Sequence, residues 1–248
     1  MEDEALIRAI EQASLWAWPP ERTAGVGGWL LRQGATATRR QNSVQTLAFS
    51  GETAIEAAIA KVETWYATHD RRACYQLTDL SRPARLDKVL AAGGYALEAP
   101  SNVMTRSLAT SPSQPSRVNL EGRPTAFVMD ALTDPYMMPA ERAARALLFA
   151  RIKRPMTFAV MAEHGSPTAG GLCVVDGRLA GVFAMRTGAP SRRRGQGRAV
   201  LARLLGWACA MGAQTAYLQV EATNLPAIAL YRGFGFKTLY DYHYRISA

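Results

Sequence analysis

The chain has 248 residues, of which 48% are hydrophobic and 20% are charged, a composition typical of a globular protein with a sizeable core. No stretch reaches the roughly 20 apolar residues that a membrane-spanning helix needs. The three cysteines (Cys74, Cys173 and Cys209) form no CxxC pattern, which argues against a disulfide framework or a zinc site. The net charge is +9, and the excess lies in the second half, because residues 1–115 hold 12 basic and 12 acidic side chains whereas residues 116–248 hold 17 and 8. A field of that sign attracts an anion, and nucleic acid, an anionic membrane and a phosphate-bearing cofactor are the candidates.

The first half reads as alternating helices and strands. Its opening residues, MEDEALIRAI, are acidic, whereas a signal peptide starts basic and then becomes strongly apolar, so we expect a cytoplasmic protein. Periodicity predicts a helix over 2–17, strands in GGWLLRQG and NSVQTLAF, a helix in ETAIEAAIAKVETWYATH, a strand in RACYQLTDL, a helix in RPARLDKVLAAGG and a strand in YALEAPSNVMTRSL.

A polar stretch divides the chain near its middle. Residues 108–124, LATSPSQPSRVNLEGRP, are rich in Ser and Pro and lack apolar periodicity, as is typical of a semi-extended linker. We therefore expect two domains, 1–110 and 124–248, joined by a linker over 111–123.

The second half predicts the elements that surround a basic loop. The segments are a strand in TAFVMDAL, a helix over 140–153, strands over 156–166 and 168–188 with a tight hairpin at Asp176-Gly177, a helix over 198–213, a strand over 215–223, a helix over 224–235 and a strand in GFKTLYDYHYRIS. The stretches LTDLSRPARLDKVLAAGGYAL and LQVEATNLPAIALYRGFGFKTL both run strand, turn, Pro-Ala, short helix, Gly-aromatic and strand. This weak internal repeat predicts two domains of one fold, one of them altered.

The basic loop is the sequence SRRRGQGRAV, residues 191–200, where three arginines meet two glycines at the start of an amphipathic helix. An arginine run alone is usually a solvated loop. Glycines, however, let a ligand approach backbone amides closely, and a helix start presents free N–H groups and the positive end of its dipole. The loop is therefore predicted to cradle a phosphate, with the arginines neutralising its charge. A dinucleotide-binding fingerprint fits poorly because no third glycine stands at Val200, and no P-loop sequence is present.

Two motifs in this half resemble the GNAT N-acetyltransferase superfamily. The acetyl-CoA signature of that superfamily is Gln/Arg-x-x-Gly-x-Gly/Ala, which Arg192, Gly195 and Gly197 match, and a second register through Arg194, Gly197 and Ala199 also fits. A later pattern, V…N…A…Y…GF, is matched downstream of the loop. The clear resemblance covers about 160–248, and the matching residues of the later pattern are Val220, Asn224, Ala229, Tyr231, Gly235 and Phe236.

The resemblance implies an α/β (α+β) fold of two GNAT-like domains. Each would be a mixed, mostly antiparallel twisted sheet flanked by helices, with a splay between the central parallel strands of the C-terminal domain. The pantetheine arm of CoA would pair with the exposed backbone of residues 185–187, and its pyrophosphate would bind the amides of the loop. The implied cofactor-binding residues are Met185, Arg186, Thr187, Arg192, Arg193, Arg194, Gly195, Gln196, Gly197, Arg198 and Asn224.

Tyr231 is the candidate general acid, because a tyrosine of reference pKa near 10 is protonated at neutral pH and can donate to a departing thiolate. Glu221 is the best candidate base, with Glu163, His164 and His243 as alternatives, and water could remove the proton instead. For Asn224, capping the following helix is at least as good an explanation as a contact with CoA, and the two roles are compatible.

The first half lacks the corresponding loop, since SGETAIEAA contains no arginine and one glycine, and Lys88 or Leu90 aligns with Tyr231. We expect this half to bind no acetyl-CoA and to form one wall of the acceptor cleft or to stabilise the fold. Side chains that could face that cleft are Trp29, Arg32, Arg39, Arg40 and Asn42.

The leading hypothesis is transfer of acetyl from acetyl-CoA, without a metal, to a primary amine of a small or amino-acid-like molecule, by direct attack in a ternary complex. The alternatives are a non-catalytic acetyl-CoA sensor and a basic nucleic-acid-binding module. The second alternative is weakened because the arginines concentrate at one loop instead of forming a stripe with exposed aromatics. We expect no nucleic-acid or membrane partner, and a monomer or homodimer.

Overall fold

The computed structural model describes residues 2–110 and 117–248, and its helices follow the predicted periodicity with one exception. Within these residues the α-helices are α1 (Glu2–Ala17), α2 (Ile55–Ala67), α3 (Leu86–Ala92), α4 (Ala126–Leu132), α5 (Pro139–Ala150), α6 (Gln196–Ala210) and α7 (Leu225–Arg232).

The strands are joined into one mixed sheet. They are β1 (Arg22–Val26), β2 (Trp29–Gln33), β3 (Val44–Gln45), β4 (Cys74–Thr78), β5 (Ala96–Ser107), β6 (Val118–Glu121), β7 (Met156–Glu163), β8 (Ser166–Asp176), β9 (Leu179–Thr187), β10 (Thr215–Glu221) and β11 (Lys237–Ile246). Their order across the sheet is β1-β2-β3-β4-β11-β5-β10-β9-β8-β7-β6. The β3–β4 and β9–β10 pairs are parallel and the other pairs are antiparallel, so the expectation of a mostly antiparallel mixed sheet is confirmed.

The two halves of the weak repeat exchange strands. In the first unit, β4-α3-β5, the last strand pairs with β10, and in the second unit, β10-α7-β11, the last strand pairs with β4. The exchanged strands β5 and β11 also pair with each other. Each half of the sheet therefore depends on a strand from the other half. The division of the chain into two domains at a linker over 111–123 stays a prediction. Residues 111–116 lie outside the described residues, and Val118–Glu121, inside the expected linker, form edge strand β6 against β7.

Helix α1 packs on the second half of the chain. Its buried residues Ile10, Ala13 and Ala17, followed by Trp18, share one apolar cluster with Phe149 and other residues of the second half. A second cluster fills the other side of the sheet around β10 and the buried face of α6. The first half also has its own apolar cluster, beneath α2 and α3.

The prediction of a strand in TAFVMDAL is wrong, because residues Ala126–Leu132 form α4. Its buried residues Val128, Met129, Ala131 and Leu132 follow helical spacing, and the hydroxyl of Thr125 caps the helix by accepting a hydrogen bond from Val128 N at 3.3 Å. A short apolar run fits a buried strand or a buried helix equally well, so periodicity could not decide. NSVQTLAF is likewise shorter as a strand than expected, since β3 spans two residues.

Candidate active site

The basic loop leads directly into the start of α6. Gly195 occupies the N-cap position with φ +76°, a left-handed conformation that glycine adopts without strain, and no side chain caps the helix. The N–H groups of Gln196, Gly197 and Arg198 open the helix and have no acceptor within it. No acidic residue stands in the first turn. The loop therefore presents main-chain donors and the positive end of a helix dipole to one point, as an anion site requires.

A cleft of about 700 Å³ lies over this helix start. It is bounded by the end of β9 on one side and by α7 on the other, and all but one of the eleven expected cofactor-binding residues line it. The residues that line the cleft are Met185, Arg186, Thr187, Ser191, Arg192, Arg193, Gly195, Gln196, Gly197, Arg198, Asn224, Pro226, Ala227, Leu230 and Tyr231. Arg194 is the exception: it lies outside the lining and its Nη1 forms an ion pair with Glu163 Oε2 at 3.0 Å. The motif register through Arg192 therefore places its arginine in the cleft, and the register through Arg194 does not.

The parallel strands β9 and β10 separate at this cleft. Their pairing runs from Leu179–Thr215 to Val182–Leu218 and stops there, although both strands continue. Ala184 has φ +50°, and the pairing of β9 with β8 shifts register next to it, which marks a β-bulge. The backbone edge of 183–187 that faces β10 is therefore left without a strand partner, and an extended ligand could pair with it.

Glu163 holds the loop from behind. Its two carboxylate oxygens accept hydrogen bonds from Arg194 Nη1 at 3.0 Å and from Gln196 Nε2 at 2.9 Å. Gln196 is 2% exposed, so the bond to Glu163 satisfies the buried amide nitrogen of its side chain at the first position of α6. Glu163 is thus engaged outside the lining of the cleft, which argues against its candidacy as a base and indicates a role in shaping the loop.

Removing this anchor is expected to weaken cofactor binding and leave the chemical step intact. Glu163→Ala removes a half-exposed ion pair and one buried hydrogen bond. Together these should lower the free energy that favours the observed loop conformation by on the order of 1–2 kcal/mol. For the acetyl-CoA donor that the motif resemblance implies, we expect the KM to rise about 5–20-fold with kcat changed less than about 2-fold, measured by steady-state kinetics. Asp176→Ala, which breaks the surface pair Arg154–Asp176 at 2.9 Å, is the matched control. An unchanged KM in Glu163→Ala would contradict this role.

Tyr231 lies where the cleft meets a second cavity of about 210 Å³. It is 7% exposed and packs edge-on against Phe236, with ring centroids 6.1 Å apart. Burial raises the pKa of its phenol to about 12. Its hydroxyl makes no hydrogen bond with any of the described residues, and Tyr231 lines both cavities.

Glu221 lies at the end of β10 and lines the second cavity together with Tyr231 and Met185. It also lines a third cavity, of about 250 Å³, on the side of the first half of the chain. The other candidate bases lie elsewhere. His164 is at the turn between β7 and β8, and His243 Nε2 lies 3.1 Å from Asp87 Oδ1 and borders a separate cavity.

Asn224 occupies the helix-capping position that the sequence left as its alternative role. Its side chain accepts a hydrogen bond from Ala227 N at 3.3 Å and caps α7. Asn224 also lines both the cleft and the second cavity, so the cap and a ligand contact are compatible.

The first half contributes two of its five suggested residues to the walls of the second and third cavities. Arg39 and Arg40 line the third cavity, and Arg40 also lines the second. Trp29, Arg32 and Asn42 are buried instead, where their side chains donate hydrogen bonds to Arg82 O, to Ser43 and Gln76, and to Thr36 O.

Sequence reasoning missed several lining residues. Pro226, Ala227 and Leu230 share a helical face with Tyr231, and Gln219 stands two residues before Glu221 on the same face of β10, so spacing alone could have found them. The exchange of β5 and β11 brings three more residues to the third cavity, Ser101, Tyr242 and Tyr244. No local sequence pattern predicts that exchange.

Residues 2–110 and 117–248 contain neither a metal-binding cluster nor a membrane-spanning helix. No group of three or more His, Cys, Asp or Glu side chains in this part of the chain is arranged to hold a metal ion. No helix there is long and apolar enough to cross a membrane.

Several solved structures with this architecture are named as acetyltransferases of the GNAT class. A GCN5-related N-acetyltransferase from Kribbella flavida superposes with a TM-score of 0.71 at 16% identity, covering 96% of this chain and 94% of that one. A tandem GNAT protein from the clavulanic acid biosynthesis pathway superposes with a TM-score of 0.66 at 13% identity, covering 96% and 87%. At these identities the likeness concerns the fold, which is therefore the GNAT fold.

Sequence relatives define the family. The model of the family described as "Probable histone acetyltransferase Rv0428c C-terminal" matches residues 4–245. The "Uncharacterized N-acetyltransferase YobR" of Bacillus subtilis (strain 168) is 31% identical over 249 residues, which cover 97% of this chain and 98% of that protein. The "Probable histone acetyltransferase Rv0428c" of Mycobacterium tuberculosis is 28% identical, covering 93% and 71%. The chain belongs to this family of the GNAT superfamily and is an acyltransferase, so the resemblance found in the sequence is confirmed.

Proposed function

We propose that the chain transfers an acetyl group from acetyl-CoA to the primary amine of a small or amino-acid-like molecule, by direct attack in a ternary complex. The observation that carries the proposal is the continuity of one cleft. It runs from the uncapped start of α6, along the unpaired edge of residues 183–187, to the hydroxyl of Tyr231.

The donor would lie along this cleft. The N–H groups of Gln196, Gly197 and Arg198 would bind its diphosphate, and Arg192 and Arg193, which line the same cleft and are exposed, would screen the phosphate charge. The free backbone edge of Met185–Thr187 would pair with the amide-containing pantetheine arm as a neighbouring strand does. This arrangement leads the thioester toward the second cavity, where Tyr231 and Glu221 both face the ligand space.

The acceptor would react from the second cavity. Its neutral amine nitrogen attacks the thioester carbonyl carbon, a C–N bond forms, and the C–S bond breaks with the electron pair going to sulfur. Tyr231 gives its proton to the departing thiolate, and Glu221, directly or through water, takes the proton that the amine loses. Burial supports the first role, because a phenol of pKa about 12 is neutral throughout the physiological range.

The first half of the chain would supply one wall of the acceptor site without binding acetyl-CoA itself. In α3, Leu90 is buried in the core and no tyrosine stands at the position that aligns with Tyr231. Arg40 and Ser101 reach the acceptor-side cavities from this half. We propose that residues 1–110 are a degenerate GNAT-like unit with this supporting role.

Acetyl-CoA consumption with a panel of amines tests the proposal. We expect CoA release, followed with a thiol reagent, to accelerate at least about 10-fold over acetyl-CoA hydrolysis with one or more small primary amines. A lysine-containing histone peptide belongs in the panel, because one relative is named as a probable histone acetyltransferase. Acceleration by the peptide and by none of the small amines would contradict the proposed acceptor class.

A further inference from the structure

Arg40 lies in the segment between β2 and β3 and is held at the acceptor side of the cleft. Its Nε donates a hydrogen bond to Gln219 Oε1 at 2.6 Å, across 179 positions of sequence. Its guanidinium lies over two aromatic rings, 5.2 Å from the centroid of Trp18 and 5.6 Å from that of Phe183. The two terminal nitrogens, Nη1 and Nη2, form no hydrogen bond or ion pair with any described residue, so Arg40 is positioned but not neutralised.

The segment that carries Arg40 is itself well ordered by hydrogen bonds. Asn42 Nδ2 donates to Thr36 O at 2.6 Å and to Thr38 O at 3.0 Å, and Trp18 Nε1 donates to Thr38 Oγ1 at 3.1 Å. Gln41 Nε2 donates to Pro19 O at 2.9 Å. A side chain whose backbone segment, guanidinium carbon and Nε are already held in place loses little conformational entropy when it binds a ligand.

Arg40 faces the two acceptor-side cavities at once. It lines the second cavity, which shares Tyr231, Met185 and Asn224 with the acetyl-CoA cleft, and it lines the third cavity beyond. The other charged side chains of these cavities are Glu221, in both, and Arg39, in the third, where Arg39 is paired with Glu98. Glu221 forms no ion pair with Arg40 within 4.0 Å. One cation and one anion that do not neutralise each other therefore face the same space.

This charge pattern is complementary to a zwitterion. A planar guanidinium with two free terminal nitrogens binds a carboxylate through charge-assisted hydrogen bonds, and Glu221 is on the side where an amine must reach the thioester. We propose that Arg40 binds a carboxylate of the acceptor, so that the substrate is an amine bearing a carboxylate, such as a free amino acid. This inference rests on the proposed function and makes Arg40, a residue of the first half, a determinant of acceptor specificity.

Pairs of amino acids and their carboxamides test this assignment. The ratio of kcat/KM for the acid to kcat/KM for the amide is measured for wild type and for Arg40→Gln, so that differences in amine reactivity cancel. We expect wild type to prefer the acid, and Arg40→Gln to reduce the ratio about 10–100-fold, as loss of hydrogen bonds to a charged group predicts. The activity toward the amide and the KM for acetyl-CoA should change less than about 3-fold. Arg40→Lys, which keeps the charge without the fork, should fall between the two.

Arg154→Gln is the matched control, because Arg154 also bonds through Nε, to Asp176 at 2.9 Å, and lies 5.3 Å from the centroid of Trp16, away from the cleft. It should keep the wild-type ratio. Thermal stabilisation by acetyl-CoA verifies folding, and if Arg40→Gln does not fold, the ratio in Arg40→Lys decides. An unchanged ratio, or a wild type that favours the amides, overturns the assignment of Arg40 and leaves the proposed function standing. Absence of CoA release with every acid and amide, when other small amines of the panel do release CoA, overturns the assignment of Arg40 alone. Absence of CoA release with every amine of the panel overturns both.

Discussion

Gly195→Glu is expected to abolish acetyl-CoA binding while the protein stays folded. Gly195 has φ +76°, a backbone conformation that strains any side chain. A Cβ at this position has no heavy atom within 4 Å, so the protein has room for the glutamate side chain. Because Gly195 lines the cleft, the new side chain would start at the cleft wall. A carboxylate would then stand at the helix start that is proposed to bind a diphosphate, where like charge repels it. The bulk of the new side chain and its negative charge both oppose binding of the diphosphate, so we expect the Kd for acetyl-CoA to rise at least about 100-fold.

Thermal unfolding measures this change directly. For wild type, acetyl-CoA at about 100 times its Kd should add roughly 2.7 kcal/mol to the free energy of unfolding, which raises the Tm by about 5–10 °C in a domain of this size. Gly195→Glu should show less than about 2 °C at the same concentration, since the ligand then stands at or below its Kd. Gly51→Glu is the matched control, since Gly51 also has φ +76° and open space around its Cβ but lies in the first half, outside the cleft. If Gly195→Glu is stabilised like wild type, the diphosphate does not bind at this helix start.

Tyr231→Phe is expected to lower kcat about 100-fold or more and to leave the KM for acetyl-CoA within about 3-fold. The substitution removes one oxygen from a side chain whose hydroxyl has no partner among the described residues, so packing against Phe236 is retained. A positioned general acid contributes on the order of 10²–10⁴ to a rate, and its loss falls on the chemical step. Steady-state kinetics with a saturating amine checks the result, and an unchanged kcat would mean that the thiolate is protonated by another group.

The pH profile of wild type supplies a second readout. Because burial raises the pKa of Tyr231 to about 12, the acid keeps its proton as pH rises and is lost only above that value. We therefore expect kcat to show no descending limb between about pH 8 and pH 10.5. Tyr75→Phe serves as the matched control for Tyr231→Phe, since Tyr75 also has a buried hydroxyl with no hydrogen-bond partner among the described residues, and burial raises the pKa of this phenol too. Tyr75 lies in the apolar cluster of the first half, so its substitution should leave kcat unchanged.

Local patterns in the sequence were sufficient to name the residues that are proposed to bind the donor. The arginine–glycine loop, the amphipathic helix after it and the strand–helix unit that ends in Tyr231 are all short-range features. Glycines at a helix start and apolar residues at helical spacing keep their meaning whatever surrounds them. This is why ten of the eleven expected cofactor-binding residues line one cleft.

Tertiary structure decided the features that depend on residues distant in sequence. The run TAFVMDAL forms α4 because its apolar face packs on the sheet, a preference that its composition does not contain. Arg194 turns away from the cleft because Glu163, 31 positions earlier, accepts its hydrogen bond. The strands β5 and β11 cross between the two halves because pairing partners are chosen by register and burial across the sheet, not by proximity in the chain.

The proposed acceptor site shows most clearly which features the sequence predicted and which the tertiary structure decided. The sequence identified Arg40 as one of five residues that could face a cleft, without a signal to separate it from Trp29, Arg32 or Asn42. Its hydrogen bond to Gln219 and its position over the rings of Trp18 and Phe183 exist only after the first half folds against the second. Periodicity reports which face of an element is buried, whereas a site built between two halves depends on contacts that no single segment encodes.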